Sequence, residues 1–313
     1  VPVADERVDI LTKISNSSKK LYTTISFIDI AGLVSGASKG EGLGNKFLSH
    51  IREVDAIIHM IRCFDSEKIQ NVNSSINPIR DIEIIETEMK LADLESIEKR
   101  LNKKNKNNVH EVELNILKIA ENLINTNQDL SELNQKFEPN DLKLSNLLSL
   151  KPRLYVCNVD EKSVSNGNKY TETFIKNFNE KDTIIISAEI ENQLNGLDNK
   201  EKNDYMNLAN IKITGLKNLI QKGYSLLNLE TFFTSGEKET RAWTIKKNSF
   251  APQAAGIIHT DFEKGFIRAE AVSFKDFVDN NGWLGSKNNG KMRLEGKDYI
   301  VKDGDVLNFR FNT

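Results

Sequence analysis

Residues 29–32, Asp-Ile-Ala-Gly, have the types and spacing that handle the phosphates of a nucleotide. In phosphoryl-transfer proteins a strand-terminal aspartate holds Mg²⁺, usually through water, and a glycine N–H three residues later meets the γ-phosphate. The pattern therefore assigns Asp29 to Mg²⁺ and Gly32 to the γ-phosphate. The glycine-rich segment 36–44 that follows permits the chain to order when the phosphate is bound. The alternative is a tight turn capped by Asp29.

Leu33 stands where Ras-like GTPases place the glutamine that orients the attacking water. A leucine side chain cannot orient water, so hydrolysis needs another group or is slow. His50 and His59 are the nearest histidines in the sequence. We favour a structural role for His59, because it lies inside an apolar run, and a solvated position for His110.

Residues 158–161, Asn-Val-Asp-Glu, follow a second apolar run. Guanine-specific GTPases place Asn-Lys-x-Asp in such a position, and the aspartate accepts two hydrogen bonds from the guanine edge. Here Val159 stands at the lysine position and Glu161 at the aspartate position. Because a longer carboxylate misfits the paired donors of guanine, the motif predicts a preference for adenine, with Ser187 and Ala188 closing over the base. The alternative is an ordinary polar loop.

The loop that cradles phosphates in such proteins is not in the sequence, since no Gly-x-x-x-x-Gly-Lys-Ser/Thr occurs between Val1 and Thr313. The numbering opens on valine rather than methionine, and we expect the phosphate loop to lie upstream of it. A chain that began at Val1 is expected to bind nucleotide weakly or not at all, because the loop supplies most of the anion contacts.

Basic residues alternate with aromatic ones in the last third of the chain. The cations are Arg241, Lys246, Lys247, Lys264 and Arg268, and the aromatic residues are Trp243, Phe250, Phe262 and Phe266. Such a mixture can bind an RNA backbone and stack on bases. It equally describes a small β domain with an aromatic core and solvated cations, and both interpretations remain open.

Four apolar segments are predicted as the strands that position the first two motifs. They are residues 24–30, 56–64, 153–158 and 182–187, and helical patterns occupy residues 43–53 and 169–178. Strands that alternate with helices predict a parallel, doubly wound α/β sheet. Ligands of such sheets bind at the carboxyl ends of the strands, where residues 29 and 158 would lie.

Two further patterns lie outside this sheet. Residues 78–101 and 112–123 carry apolar side chains at helical spacing on either side of a polar tip at 102–108, which predicts an antiparallel helical hairpin with a solvated charged face. After residue 227, short alternating strands and one short helix at 274–279 predict a small α+β domain, a curved sheet over a helix.

Composition excludes several classes of protein. Of 313 residues, 43 are Lys or Arg and 45 are Asp or Glu, and this near-balance argues against a surface that is basic throughout. No apolar run approaches the roughly 20 residues of a membrane span. The two cysteines, Cys63 and Cys157, lie in apolar runs, as reduced buried thiols do. We therefore expect a cytoplasmic protein with no membrane partner. We also expect it to be a monomer.

Long strings of the sequence closely resemble the YchF subfamily of Obg-related P-loop NTPases, also called Obg-like ATPases. Near its start the chain reads DIAGLV at 29–34 and GASKGEGLGNKF at 36–47. Near its end it reads RAWTI at 241–245, APQAAG at 251–256, IHTDFEKGFIRA at 258–269 and EGKDYIVKDGDV at 295–306. The resemblance extends over essentially the whole chain.

The resemblance implies a G domain formed by residues 1–77 and 151–228, with its N-terminal part lying before Val1. A coiled-coil hairpin at 78–150 interrupts it, and a β-grasp TGS domain follows at 229–313. It also implies an ATPase that prefers ATP to GTP, needs Mg²⁺ and associates with ribosomes. The family motif Asn-x-x-Glu, which reads adenine, maps onto Asn158, Val159 and Glu161, and a hydrophobic residue in place of the catalytic glutamine maps onto Leu33.

One position departs from the family pattern. Family members carry a histidine, proposed to help hydrolysis, before the Asn-Pro that opens the hairpin. Counted back from Asn77-Pro78, that position is Asn71. Our leading hypothesis is thus a ribosome-associated ATPase that regulates translation or the stress response and contacts the large subunit. The second hypothesis is a ribosome- or RNA-binding module with little or no hydrolysis, which Leu33 and Asn71 favour.

Overall fold

The computed structural model describes residues 1–30, 43–67, 75–102, 111–178 and 182–312. Contacts between Cα atoms divide the chain into two compact units. One unit combines Val1–Phe27 with Gly223–Thr313, and we call it the C-terminal unit. The other is Ile28–Lys222, the α/β unit.

The described residues form both α-helices and β-strands. The helices are α1 Glu6–Ile14, α2 Leu43–Glu53, α3 Pro78–Asn102, α4 Glu111–Asn125, α5 Leu133–Lys136, α6 Pro139–Ser145, α7 Lys169–Asn177, α8 Ala188–Asn195, α9 Asn199–Leu208, α10 Gly215–Leu226, α11 Ala251–Ile258, α12 Thr260–Lys264, α13 Phe274–Asp279 and α14 Trp283–Asn288. The strands are β1 Lys20–Leu21, β2 Ile57–Arg62, β3 Arg153–Asn158, β4 Thr183–Ile186, β5 Leu229–Ser235, β6 Thr240–Lys246, β7 Phe266–Ser273, β8 Arg293–Glu295 and β9 Asp305–Phe311.

The α/β unit contains a parallel sheet in the order β2-β3-β4. The register aligns the carboxyl ends of the strands, because Arg62 pairs with Asn158 and Asn158 pairs with Ile186. Predicted strands and observed strands agree here to within two residues at each end. The three strand ends form one edge of the sheet, and this edge holds the second predicted motif.

Helices cover both faces of this sheet, as a doubly wound arrangement requires. On one face Tyr155 of β3 packs against Phe174 of α7, with ring centroids 5.4 Å apart. On the other face α10 begins close to β4, where a Cβ on Gly215 would lie 2.5 Å from Cγ2 of Ile186. A glycine at this position therefore lets the helix approach the sheet.

The predicted strand at 24–30 was wrong. Only Thr24 makes a β-bridge, to Pro2, and the residues after it belong to no helix or strand. Phe27 and Ile28 are 39% and 56% exposed. A strand forms when a neighbour satisfies its N–H and C=O groups, and within the described residues no strand runs alongside 26–30. Apolar character alone therefore did not produce a strand here.

The predicted hairpin is present, because the end of α3 packs against the start of α4. Ile97 and Ile116 are both fully buried at this contact, and Arg100 forms an ion pair with Glu113. The predicted polar tip extends into residues 103–110, which lie outside the described residues.

The insertion is nevertheless more than a two-helix coiled coil. Leu133 of α5 and Leu142 of α6 complete the core between α3 and α4. Asp93 of α3, which is fully buried, accepts hydrogen bonds from the backbone N–H groups of Leu148 and Ser149, each 2.8 Å long. Burial raises the pKa of this carboxyl, and the two N–H groups oppose that rise. The predicted coiled coil thus becomes a small helical bundle.

The C-terminal unit is built on a six-stranded sheet in the order β1-β6-β5-β9-β7-β8. Successive residues of β5 point to opposite faces, so Phe232 packs under α11 while Phe233 packs on the other side. The helix predicted at 274–279 is α13. The predicted sheet over a single helix was wrong, since helices cover both of its faces.

Residues 1–27, which the sequence analysis assigns to the G domain, pack in the C-terminal unit. The cause is the apolar face of α1, where Val8 and Leu11 are fully buried in a cluster with Phe233 and Val306. Asp5 caps the helix by accepting a hydrogen bond of 3.0 Å from the N–H of Arg7. The alternating polar and apolar residues of α1 were not recognised in the sequence.

Within the described part of the chain, no helix combines the length and the apolar character that a membrane span requires.

His59 lies in the middle of β2 and is 4% exposed, with its ring stacked on Tyr155 at 5.5 Å. Its Nε2 has no hydrogen-bond partner among the described residues. Burial, and then the charge of Arg153, lowers the pKa of His59 to about 4. The side chain is therefore neutral at pH 7, and the structure supports its predicted structural role.

The lowered pKa of His59 makes the α/β unit sensitive to acid. The unfolded chain takes up a proton near pH 6.5 and the folded chain only near pH 4, so stability is lost as the pH falls between these values. We expect the free energy of unfolding to fall by about 2 kcal/mol between pH 7 and pH 5 through this group alone. Urea titrations followed by circular dichroism should show that His59→Phe removes this loss.

The control is His50→Gln, since His50 is exposed on α2 and has no such environment. That variant should keep the pH dependence of the unaltered protein. An unchanged pH dependence in His59→Phe would contradict the assignment.

Candidate functional site

The carboxyl edge of the β2-β3-β4 sheet brings three chain segments together. Arg62 ends β2, and its guanidinium donates to the backbone oxygens of Phe64 and Ser66 at 3.1 and 3.2 Å. Asn158 ends β3, and Ser187 directly follows β4. This is the edge at which ligands bind in parallel α/β sheets.

Asn158 joins the ends of β3 and β4. Its Oδ1 accepts a hydrogen bond of 3.0 Å from the backbone N–H of Ala188. Because a backbone N–H can only donate, the amide orientation is fixed and Nδ2 is the end directed elsewhere. In the described part of the chain Nδ2 has no hydrogen-bond partner, so the half-buried Asn158 offers a donor at the edge of the sheet.

Val159 belongs to the core rather than to a ligand surface. It is 3% exposed and packs with Cys157 and Phe174, and its N–H donates to the backbone oxygen of Ile186 at 2.8 Å. A valine at the position where guanine-specific proteins carry lysine is therefore explained by burial. Its side chain positions the strand end and does not reach solvent.

Glu161 is held at the start of a 3-10 turn, Glu161–Ser163, and is exposed. Asp160 caps this turn, since its carboxylate accepts hydrogen bonds from the N–H groups of Lys162 and Ser163 at 3.1 and 3.0 Å. The capping leaves Asp160 engaged with its own backbone. Glu161 is an exposed carboxylate of the motif that accepts no hydrogen bond from the backbone of this turn.

Two residues that sequence reasoning missed lie beside Glu161. The amide of Gln193, in α8, donates to the Glu161 carboxylate across 3.5 Å, and Tyr205, in α9, donates to the Gln193 amide oxygen at 3.0 Å. No motif marks these residues, because they come from two helices that follow the predicted site. Their only sequence signal is that α8 begins at the strand end.

Ser187 plays a local role in the structure. Its side chain is 2% exposed, and its Oγ accepts from the N–H of Ile190 at 3.4 Å, so it caps α8. Ala188 is the exposed first residue of that helix. Of the two residues predicted to close over a base, Ser187 holds the start of α8 and Ala188 is the exposed one.

The first predicted motif is described only in part. Asp29 is exposed and belongs to no helix or strand, so it is not the end of a strand as predicted. No hydrogen bond between described residues joins it to the group formed by Asn158, Ala188 and Glu161. Gly32 and Leu33, with the glycine-rich segment, lie outside the described residues, and so does Asn71.

The residues present suit Mg²⁺ as far as they are described. Mg²⁺ keeps most of its water and is held by one or two carboxylates together with substrate phosphates, rather than by a cage of protein ligands. Asp29, an exposed carboxylate, meets that requirement. No cluster of three or more His, Cys, Asp or Glu side chains that could enclose a metal occurs among the residues described.

The five predicted cations of the C-terminal unit do not form one patch. Arg241 and Lys246 lie on β6, whereas Arg268 lies on β7, and β5 and β9 separate these strands. Arg241 is half-buried, with its guanidinium 3.9 Å from the centroid of the Trp243 ring. Lys246, Lys247, Lys264 and Arg268 are exposed.

The aromatic residues among these cations divide between core and surface. Trp243, Phe262 and Phe266 pack in the core under α11. Phe250 is 42% exposed instead. The core interpretation therefore holds for three of the four aromatic residues.

The α/β unit, with its parallel sheet and polar residues at the carboxyl ends of the strands, has the fold of a nucleotide-binding protein of the P-loop GTPase class. A family model described as 50S ribosome-binding GTPase matches residues 7–86. A second model, named for the C-terminal region of YchF GTPases and described as a protein of unknown function, matches residues 229–312.

The chain belongs to the YchF family. It is 48% identical over 320 residues to the ribosome-binding ATPase YchF of Haemophilus ducreyi, and the alignment covers 100% of this chain and 88% of that protein. It is 45% identical over 328 residues to the ribosome-binding ATPase YchF of Bacillus subtilis, with the same coverage. The structure of the Schizosaccharomyces pombe YchF GTPase is similar with a TM-score of 0.81 at 34% identity, over 99% of this chain and 86% of that one.

Proposed function

We propose that this protein is a ribosome-associated ATPase that prefers ATP to GTP, requires Mg²⁺ and acts in the cytoplasm to regulate translation or the stress response. By its family the chain is a nucleoside triphosphate hydrolase. The observation that carries the ATP preference is the carboxyl edge of the sheet. There Asn158 presents an amide donor and Glu161 a carboxylate acceptor, beside the exposed Ala188.

The chemistry of this edge matches a purine base. Asn158 Nδ2 would donate to a ring nitrogen, and the carboxylate of Glu161 would accept from an exocyclic amino group. Adenine carries such an amino group and has no adjacent ring N–H, whereas guanine offers two neighbouring donors. Ser187 keeps the start of α8 in place, so the backbone at Ala188 can close over the base.

The phosphate end of the site is assigned to the first motif. Asp29 would hold a water of the Mg²⁺ shell, and the N–H of Gly32 would contact the γ-phosphate. When bound, Mg²⁺ would neutralise negative charge that develops on the phosphates. Leu33 takes the place of a water-orienting glutamine, and Asn71 takes the place of the family histidine, so we propose that activation of water falls to another group.

The ribosome is the proposed partner because relatives that are 45–48% identical are named ribosome-binding ATPases. We propose contact with the large subunit and its RNA through the exposed cations Lys246, Lys247, Lys264 and Arg268 and the half-buried Arg241. Exposed cations attract RNA phosphates in a salt-dependent manner. We propose that a monomer makes this contact.

One observation favours a second candidate, a ribosome-binding module with little hydrolysis. In the part of the chain that is described, the four exposed cations form no ion pair with the protein, and are therefore available to RNA. Turnover of ATP with and without ribosomes separates the two candidates. Turnover in either condition supports the ATPase, and its absence in both supports the module.

Replacing Glu161 with aspartate tests the base-reading role. The shorter carboxylate withdraws from adenine and approaches the geometry that guanine requires, so we expect the affinity for GTP relative to ATP to rise about tenfold. The measurement is the dissociation constant of each nucleotide, with Mg²⁺, for the natural full-length protein.

The matched control is Glu172→Asp, because Glu172 is an exposed glutamate of α7 that lies outside the site. It should leave the ratio of the two affinities unchanged. Equal affinity of the unaltered protein for ATP and GTP, or no effect of Glu161→Asp, would contradict the proposed role of Glu161.

A further inference from the structure

Gln193 bridges two carboxylates at the edge of the site. Its Nε2 lies 3.5 Å from Oε1 of Glu161 and 3.3 Å from Oε1 of Glu189. A primary amide nitrogen carries two hydrogens, so each carboxylate receives one. The amide therefore engages Glu161 from one side, through Oε1.

Tyr205 fixes which end of that amide faces the carboxylates. Its hydroxyl donates to the amide oxygen of Gln193 at 3.0 Å. With the oxygen satisfied in this way, the NH₂ group must point towards Glu161 and Glu189. The hydrogen bonds thus form a chain in which Tyr205 donates to Gln193 and Gln193 donates to Glu161.

The surrounding helices hold the three side chains in place. Glu189 and Gln193 are four residues apart on α8 and share one face of that helix. Tyr205 comes from α9, whose start carries a capping box: the carboxylate of Asp198 accepts from the N–H of Glu201 at 2.9 Å, and Glu201 accepts from the N–H of Asp198 at 3.0 Å. Regular helices on both sides thus position the amide.

The hydrogen bond from Gln193 affects how many oxygens of Glu161 are free of other hydrogen bonds when a base binds. A base with two adjacent donors, as guanine has in its ring N–H and its 2-amino group, needs both oxygens of one carboxylate. Adenine presents a single exocyclic amino group and needs only one. Within the described structure, Oε1 of Glu161 already receives a hydrogen bond and Oε2 does not.

We infer that Gln193, oriented by Tyr205, favours adenine by engaging Oε1 of Glu161, so that a base that needs both oxygens must compete with the amide for one of them. Gln193 is a positioning residue, since it acts on the nucleotide through Glu161. The inference rests on the proposed role of Glu161 in base recognition. It adds a second determinant that lies outside the Asn-x-x-Glu motif.

Replacing Gln193 with methionine tests the inference, because methionine keeps the length of the side chain and removes its donors. The affinity for GTP should rise about fivefold to tenfold, while the affinity for ATP should change by less than about twofold. Inosine triphosphate has the ring N–H but no 2-amino group, so its affinity should rise less than that of GTP. Titrations of the natural full-length protein with the three nucleotides and Mg²⁺ measure these changes.

Two further variants strengthen the test. Tyr205→Phe removes only the hydroxyl that orients the amide and should shift the ATP-to-GTP ratio in the same direction by about twofold to threefold. Asn192→Met is the matched control, since Asn192 is the exposed neighbour of Gln193 on α8. It should leave all three affinities unchanged.

The outcomes separate this inference from the proposed function. An unchanged ratio in Gln193→Met, in a protein that prefers ATP and responds to Glu161→Asp, overturns the role of Gln193 alone. A parallel loss of affinity for all three nucleotides in Gln193→Met also overturns it, because a merely structural residue would produce that pattern. A protein without any ATP preference overturns the base-reading function, and the inference with it.

Discussion

Replacing Asn158 with alanine is expected to weaken the binding of ATP by about 30-fold to 100-fold while the fold stays intact. The substitution removes two interactions at once. It deletes the amide donor at the carboxyl edge of the sheet, and it deletes the acceptor that holds the N–H of Ala188 at 3.0 Å. Each is worth on the order of 1–2 kcal/mol when water is excluded from the site.

Stability should hardly change in this variant. Asn158 is only half-buried and Ala188 is exposed, so water satisfies the N–H that loses its partner. We expect a change in the free energy of unfolding of less than about 1 kcal/mol. The combination of a large loss of affinity with a small loss of stability separates a ligand contact from a structural one. Nucleotide titration and urea denaturation together measure both quantities.

A second substitution at the same position divides the two roles. Asn158→Asp keeps an acceptor for the N–H of Ala188 but offers no donor to a base. Because this variant loses only the donor, we expect its ATP affinity to fall by about fivefold to 30-fold, less than in Asn158→Ala. Asn195→Ala is the control, since Asn195 is exposed at the end of α8. Full ATP affinity in Asn158→Ala would contradict the placement of the site at this edge.

The parts of the fold that sequence predicted well are those with strong local signals. Strand β3 and helix α2 have the predicted ends, and α3 begins at the predicted Pro78. Continuous apolar runs predict strands that are covered on both faces, and β3 is such a strand because helices pack on either side of it. A proline at the first turn of a helix is likewise a local signal.

The parts that were missed depend on partners distant in the sequence. Residues 24–30 include four apolar residues, but no described strand runs beside most of them, and a strand requires that neighbour. Helix α1 was overlooked because its apolar side chains pack against Phe233 and Val306, which are more than 200 residues away in the sequence. Tertiary packing of this kind leaves only a weak pattern in the local sequence.

The candidate site shows the same division. The motif at 158–161 is contiguous, and its position at a strand end followed from the apolar run before it. Gln193 and Tyr205 could not be found in that way, because α8 and α9 deliver them to Glu161 only after folding. Val159 illustrates a third case, in which a residue of a motif is explained by the core and not by the ligand.

Because α1 packs in the C-terminal unit, we expect Leu11→Ala to destabilise that unit strongly. Leu11 is fully buried among Phe233, Phe277 and Val306. Removing a buried leucine side chain forfeits its transfer free energy and leaves a cavity, so the free energy of unfolding of this unit should fall by about 3 kcal/mol. Urea denaturation monitored by tryptophan fluorescence is the measurement.

Fluorescence isolates the unit in question, because both tryptophans of the chain, Trp243 and Trp283, belong to it. The control is Ile10→Ala on the same helix. Ile10 is 40% exposed, and alanine has the better helix propensity, so the expected change is below about 1 kcal/mol. If α1 packed instead with the α/β unit, Leu11→Ala would leave the tryptophan transition where it was. A shift confined to Leu11→Ala therefore establishes that residues far apart in sequence, and on either side of the nucleotide site, build one domain.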